Sequence, residues 1–228
     1  MSLRTNEHLR VNIGTAQSGD AMFLARSISK PVCVTGADDA VRQGRILWLG
    51  RPVEEVHSGI HRDGRDDVTM QHLLSHVSGL PDQRPDNNAL RARHAPLSDF
   101  VHGAIRTPLH FAPGTQYQYS SMGILLATHV AEIITGETIH ELVDRTVFRK
   151  LDLQHSAQGL GKFELRDMVP VQTEHAAPES GAGDPSAKNW DWNSDYWRRL
   201  GAPWGTTHMS APTSAGSWTA NSCREAAS

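Results

Sequence analysis

The sequence predicts an α/β chain of the α+β kind, a helical lobe with little sheet, and three observations carry this. Apolar residues recur at helical spacing through the middle of the chain. Glycines placed as helix stops punctuate those runs at Gly44, Gly79 and Gly136. Strand signals are confined to two short stretches, Leu9–Ile13 and Ile46–Leu49.

Taken in order, the first helix is expected over residues 28–43, with Pro31 in the first turn, where a missing N–H breaks no bond. Val32, Ala37, Ala40 and Val41 form its apolar positions. Thr69 is the N-cap of a short helix carrying Leu73, Leu74 and Val77, closed by Gly79 and Pro81. Leu97–Arg106 is a third helix. Met122–Ile134 places Ile124, Leu125, Ala127, Ala131 and Ile134 at helical spacing before Gly136. Thr138 with Glu141 then makes a capping box for a helix running to Phe148. Residues 174–188 are rich in Ala, Pro, Gly and Ser and are expected to be an exposed loop. Trp190, Trp192, Tyr196, Trp197 and Trp204 crowd the segment after it, either lining a pocket or packing as an aromatic lid. The domain is expected over residues 1–205, with 206–228 as an irregular C-terminal tail.

At 228 residues with 38% hydrophobic content, the chain can bury one sizeable core, or a core plus a smaller lobe. A formal charge of -3 provides no broad basic surface, which argues against nucleic acid and leaves a small molecule as the expected partner. Cys33 and Cys223 suggest neither a disulfide scaffold nor a metal framework. The N-terminus carries no signal-peptide core and no later segment can span a bilayer, so the expected location is the cytoplasm. A natural start upstream of Met1 would change that expectation to the periplasm or secretion.

Ser27-Ile28-Ser29-Lys30 puts a hydroxyl and an amine one helical turn apart, where the Lys nitrogen can reach the Ser oxygen. The helix N-terminus adds a positive end where a tetrahedral oxyanion would develop, with the Ser27 N–H as one donor. The same four residues also fit a helix N-cap followed by a solvated lysine. His72 and His76 stand four apart on the expected second helix, a zinc-binding spacing. Leu73 occupies the place where an H-E-x-x-H site would carry its glutamate, so no metal site is assigned. Asp66, Asp67, Asp184, Asp191 and Asp195 are read as solvated loop charge.

Three stretches supply the context. They are Phe23-Leu-Ala-Arg-Ser27-Ile-Ser-Lys30-Pro31, Gln71-His-Leu-Leu-Ser-His76-Val-Ser-Gly79-Leu80-Pro81 and Phe111-Ala-Pro113-Gly114-Thr-Gln-Tyr-Gln-Tyr119-Ser-Ser121-Met-Gly123. In order and spacing they resemble the beta-lactamase-related serine hydrolases, a family of class C beta-lactamases, D-alanyl-D-alanine carboxypeptidases (penicillin-binding proteins) and esterases. The likeness runs from about Phe23 to about Met209, and the tryptophan-rich stretch through Gly205 looks like one subgroup. It implies a beta-lactamase/transpeptidase-like fold, here a helical lobe plus an incomplete antiparallel sheet. It further implies Ser27 as the acylated nucleophile, Lys30 as its activating partner and Tyr119 as the base that shuttles a proton to the leaving group. Ser121 would contact substrate from the third position of the family's Tyr-x-Asn motif. The Ser in place of Asn favours esterase-like chemistry over a true beta-lactamase. Trp192, Tyr196 and Trp204 would line the substrate pocket. No cofactor is implied; the partner is an ester, lactam or peptide-like amide.

The sequence departs from that pattern in one motif and at both ends. No Lys-Thr-Gly or His-x-Gly triplet follows the third stretch to supply the second oxyanion donor, and Thr206-Thr-His-Met follows too directly on the tryptophan-rich segment to be its equivalent. The opening helix and strand pair and the closing strands and helix of the family are also missing, so the chain reads as truncated or frame-shifted. Uncovered helix faces then make marginal stability or self-association an expected consequence. Two functions from different classes follow: a serine hydrolase using Ser27, Lys30 and Tyr119, or a catalytically inactive remnant that binds a ligand or peptide. A zinc protein built on His72 and His76 ranks last.

Overall fold

The computed structural model describes residues 21–42, 50, 52–56, 64–93, 95–159, 163 and 207–209. The expected strands Leu9–Ile13 and Ile46–Leu49, the loop at 174–188 and the tryptophan-rich segment lie outside the described residues. Described elements are β1 (Phe23–Leu24), α1 (Ser29–Arg42), α2 (Met70–Leu74), α3 (Asn87–Ala92), α4 (Leu97–Arg106), α5 (Ser121–Thr135), α6 (Ile139–Val143), β2 (Ser156–Gln158) and β3 (Thr207–Met209). A 3₁₀ turn at Arg26–Ile28 leads into α1, and α6 runs on into a π-helical turn at Asp144–Phe148.

Helix α5 organises the molecule. Nearly every residue of its first eleven is buried, so it is apolar all round, as a helix enclosed by others must be. Leu125, Leu126, Ala127 and Val130 join Leu73 of α2 and Phe100, Val101 and Ala104 of α4 in one core cluster. Ala131 faces a second cluster made by Cys33 and Ala37 of α1 with Ile139, Leu142 and Val143 of α6. Helix α1 can approach α6 closely because position 36 is glycine: a Cβ there would stand 2.9 Å from Val143 Cγ2.

The helix ends follow local chemistry. Ser120 caps α5 by accepting from Gly123 N–H at 2.8 Å, and Gly136 closes it at φ 72°. Thr138 and Glu141 form the expected capping box. Thr69 forms a second one, with His72 in the third position where Glu or Gln is usual.

Three features correct the sequence expectations. Helix α2 ends at Leu74, so Val77 lies beyond it, and His72 and His76 do not share a helix face. Helix α3 has no counterpart in the sequence reading. Thr207–Met209, placed in an irregular tail over 206–228, is a strand. It lies between the other two in the order β1-β3-β2, antiparallel to both, with Phe23 opposite Met209 and Ala157 opposite His208. Strand β1 therefore sits in a sheet two residues before the turn that carries Ser27.

Candidate active site

Ser27 lies in the 3₁₀ turn at the mouth of α1 and is exposed, while Lys30, one turn further on, is 5% exposed. Lys30 Nζ donates to Ser27 Oγ at 3.2 Å. Tyr119 Oη donates to the same oxygen at 3.0 Å across 92 residues of chain. Lys30 Nζ also stands 5.1 Å from the centroid of the Tyr119 ring, a cation–π distance. The three side chains named from the sequence thus converge on one oxygen. Ser27 Oγ has a donor on each side and lies where the fourteen-residue helix α1 begins, at the positive end of its dipole.

Tyr119 reaches Ser27 from the loop between α4 and α5, which is fastened to the segment after α2. His110 N–H bonds Gly79 C=O, Gly114 N–H bonds Val77 C=O and Gln118 N–H bonds His76 C=O, at 2.8, 2.8 and 2.9 Å. Gly79 makes this approach possible: at φ 85°, a Cβ would fall 2.2 Å from Phe111 C=O.

Ser121, expected to contact substrate, bonds Asp82. It is buried at the first turn of α5, and its hydroxyl donates to Asp82 Oδ1 at 2.6 Å, while its N–H bonds the same oxygen at 2.9 Å. Both bonds go to the Asp82 carboxylate, which ties the start of α5 to the segment after α2. Trp192, Tyr196 and Trp204 lie outside the described residues.

Asp82 and His76 are the two site residues that sequence reasoning missed. Asp82 directly follows the Gly79-Leu80-Pro81 stretch, and it anchors Ser121 just two residues after Tyr119. His76 was weighed only as a zinc ligand. Its Nδ1 accepts from Ser120 N–H at 3.2 Å, and its ring lies 4.8 Å from the Tyr119 ring. Burial and the nearby Lys30 charge hold its pKa below the ordinary imidazole value. His72 turns its Nδ1 to Thr69 N–H at 3.3 Å. Among the described residues, no three His, Cys, Asp or Glu side chains converge as a metal site would need.

An exposed serine at a helix mouth thus stands between a lysine one turn on and a tyrosine from a distant loop. Solved structures with this fold are similar. A penicillin-binding protein homologue from Caulobacter crescentus matches with TM-score 0.66 at 20% identity, covering 86% of this chain and 54% of its own. A family VIII carboxylesterase matches with TM-score 0.64 at 21% identity, covering 84% and 53%. They show a beta-lactamase/transpeptidase fold. The chain belongs to the beta-lactamase family, whose sequence profile matches residues 9–215. A beta-lactamase from Pseudomonas fluorescens is 30% identical over 60% of this chain and 37% of its own length. An unguisins hydrolase from Aspergillus violaceofuscus is 26% identical over 72% of this chain and 26% of its own. The chain thus spans about half the length of those solved structures and a smaller share of those two relatives.

Proposed function

We propose that this chain is a serine hydrolase that forms an acyl-enzyme on Ser27 with an ester, beta-lactam or D-amino-acid amide, esters being favoured. The observation that carries this is the double contact on Ser27 Oγ from Lys30 and Tyr119. In the reaction Tyr119 acts as a phenolate, its own proton having passed to solvent beforehand, so that Oη accepts the Ser27 proton as Oγ attacks the carbonyl carbon. Lys30 offsets the negative charge that builds on the two oxygens, and the mouth of α1 faces the oxyanion. Tyr119 then delivers the proton to the leaving oxygen or nitrogen as the bond to carbon breaks. Water repeats the sequence to release the acid.

Exposed apolar side chains beside Ser27 support an ester with an apolar acyl group: Ile28 follows it in the chain and Tyr119 bonds it, and they are 64% and 39% exposed. The Asp82 bond of Ser121 adds support, since it takes up the hydroxyl at the position where Asn would meet a lactam side chain. A second reading is an inactive remnant of the family that binds ligand without turnover.

Intact-mass measurement after exposure to a fluorophosphonate, and separately to a penicillin, separates the two. The hydrolase reading expects one adduct that Ser27→Ala abolishes. Folded protein that takes no adduct supports the remnant instead.

A further inference from the structure

Helix α2 ends in a six-residue closure that ordinarily calls for glycine. Val77 N–H bonds His72 C=O at 3.0 Å and His76 N–H bonds Leu73 C=O at 3.4 Å, the paired bonds of a Schellman motif. Residue 76 is therefore the left-handed position, and its φ is 62°. A histidine here carries a backbone cost that glycine would not, and such strain persists where the side chain has a use.

The use is visible in what His76 touches. Its carbonyl accepts from Gln118 N–H at 2.9 Å, its ring lies 4.8 Å from the Tyr119 ring at 32°, and its Nδ1 accepts from Ser120 N–H at 3.2 Å. One residue thus grips three consecutive residues, with Tyr119 in the middle. Tyr117 meets the same ring edge-on at 6.0 Å.

We propose that His76 is a positioning residue, which holds Tyr119 against Ser27 while its ring is neutral and releases that hold when its ring is protonated. Nδ1 can accept from Ser120 only without a proton of its own, so the bonded state is the neutral ring with its hydrogen on Nε2. Protonation turns that contact into two donors facing each other. It also sets a second cation close to Lys30. The groups facing His76 are Lys30 from α1, Asp82 from the segment after α2, and Tyr117 and Tyr119 from the loop before α5. Burial and Lys30 favour the neutral ring, so the hold persists at neutral pH and is lost on acidification.

The kinetic part of this proposal rests on the hydrolase reading; the structural part does not. On the full chain, NMR follows the His76 ring, the Tyr119 ring and the Ser120 amide as pH falls. The proposal expects all three to shift with one midpoint. A Ser120 amide and Tyr119 ring that ignore the His76 titration overturn it, whether or not the protein turns over substrate. Hydrolysis of p-nitrophenyl butyrate supplies the second arm, comparing the unmodified chain with His76→Gly, which gives the helix stop its ordinary residue. The variant is expected to melt no lower, to lose about tenfold in kcat with KM within about twofold, and to lose the acid limb that coincides with the NMR midpoint. A variant with unchanged kcat and pH profile overturns the proposal. Absence of turnover and of Ser27 labelling in the unmodified chain sinks the hydrolase reading alone, and the NMR arm still decides the role of His76.

Discussion

Two nucleophilic side chains, one just before α1 and one within it, meet opposite chemical fates. Ser27 is exposed at the mouth of α1 between two hydrogen-bond donors, whereas Cys33, two turns on, is fully buried in the second core cluster. Burial pushes the Cys33 thiol up to about 12, so its nucleophilic thiolate is scarce at neutral pH. Iodoacetamide is accordingly expected to leave Cys33 unmodified in native protein and to alkylate it rapidly in urea, as read by peptide mass spectrometry. Rapid native alkylation would show that α1 does not pack as described. For Tyr119, removing the hydroxyl with Tyr119→Phe should lower kcat about 10²- to 10⁴-fold at nearly unchanged melting temperature, since a half-exposed phenol contributes little to folding. The approach of Lys30 to Ser27 was legible because one helical turn separates them, while Tyr119 was named only through the family resemblance of its string. Asp82 and His76 were not, because their partners, Ser121 and Ser120, stand 39 and 44 residues away and only the folded loop joins them.

At the scale of elements, the caps differ in what depends on them. Thr138 accepts from Glu141 N–H on an exposed helix start, so Thr138→Ala is expected to cost about 1 kcal/mol in urea unfolding. Ser120 is buried and does two jobs, accepting from Gly123 N–H and donating to Pro81 C=O at 2.9 Å. Ser120→Ala removes the cap and strands the carbonyl, and about 2 to 3 kcal/mol is expected from the two losses together. Equal costs for the two variants would contradict the Pro81 contact. The long helices were readable because the apolar period runs over ten or more residues in α4 and α5, and in α5 the Gly136 stop agrees with it. The end of α2 was misjudged because a histidine occupies the left-handed stop, and the eye runs on to Gly79. The strands escaped notice because two or three residues carry no measurable alternation, and β3 exists only through its partners.

Across the whole molecule, α5 ties the two core clusters together, and a histidine with a lowered pKa sits near each. His76 lies between α2 and the loop before α5, and His140 lies on α6; burial is the largest cause of the shift in both. In the folded chain both rings favour the neutral form, while in the unfolded chain each takes up a proton at the ordinary imidazole value. As pH falls through that value the unfolded state therefore binds protons first, and stability declines. The decline ends once pH passes below the folded-state values, where both states are protonated. Asp86 and Glu141 have lowered pKa values and would remove stability only at more acidic pH, and both are exposed enough for solvent to screen the effect. Urea unfolding at pH from about 8 to about 5 is thus expected to show midpoints dropping in the imidazole window, ahead of any carboxylate effect. His140→Gln should flatten part of that slope without touching ester hydrolysis, whereas His76→Gly should flatten another part and alter hydrolysis as well. A stability profile that stays level until the carboxylate range would mean that neither ring is held neutral by the fold.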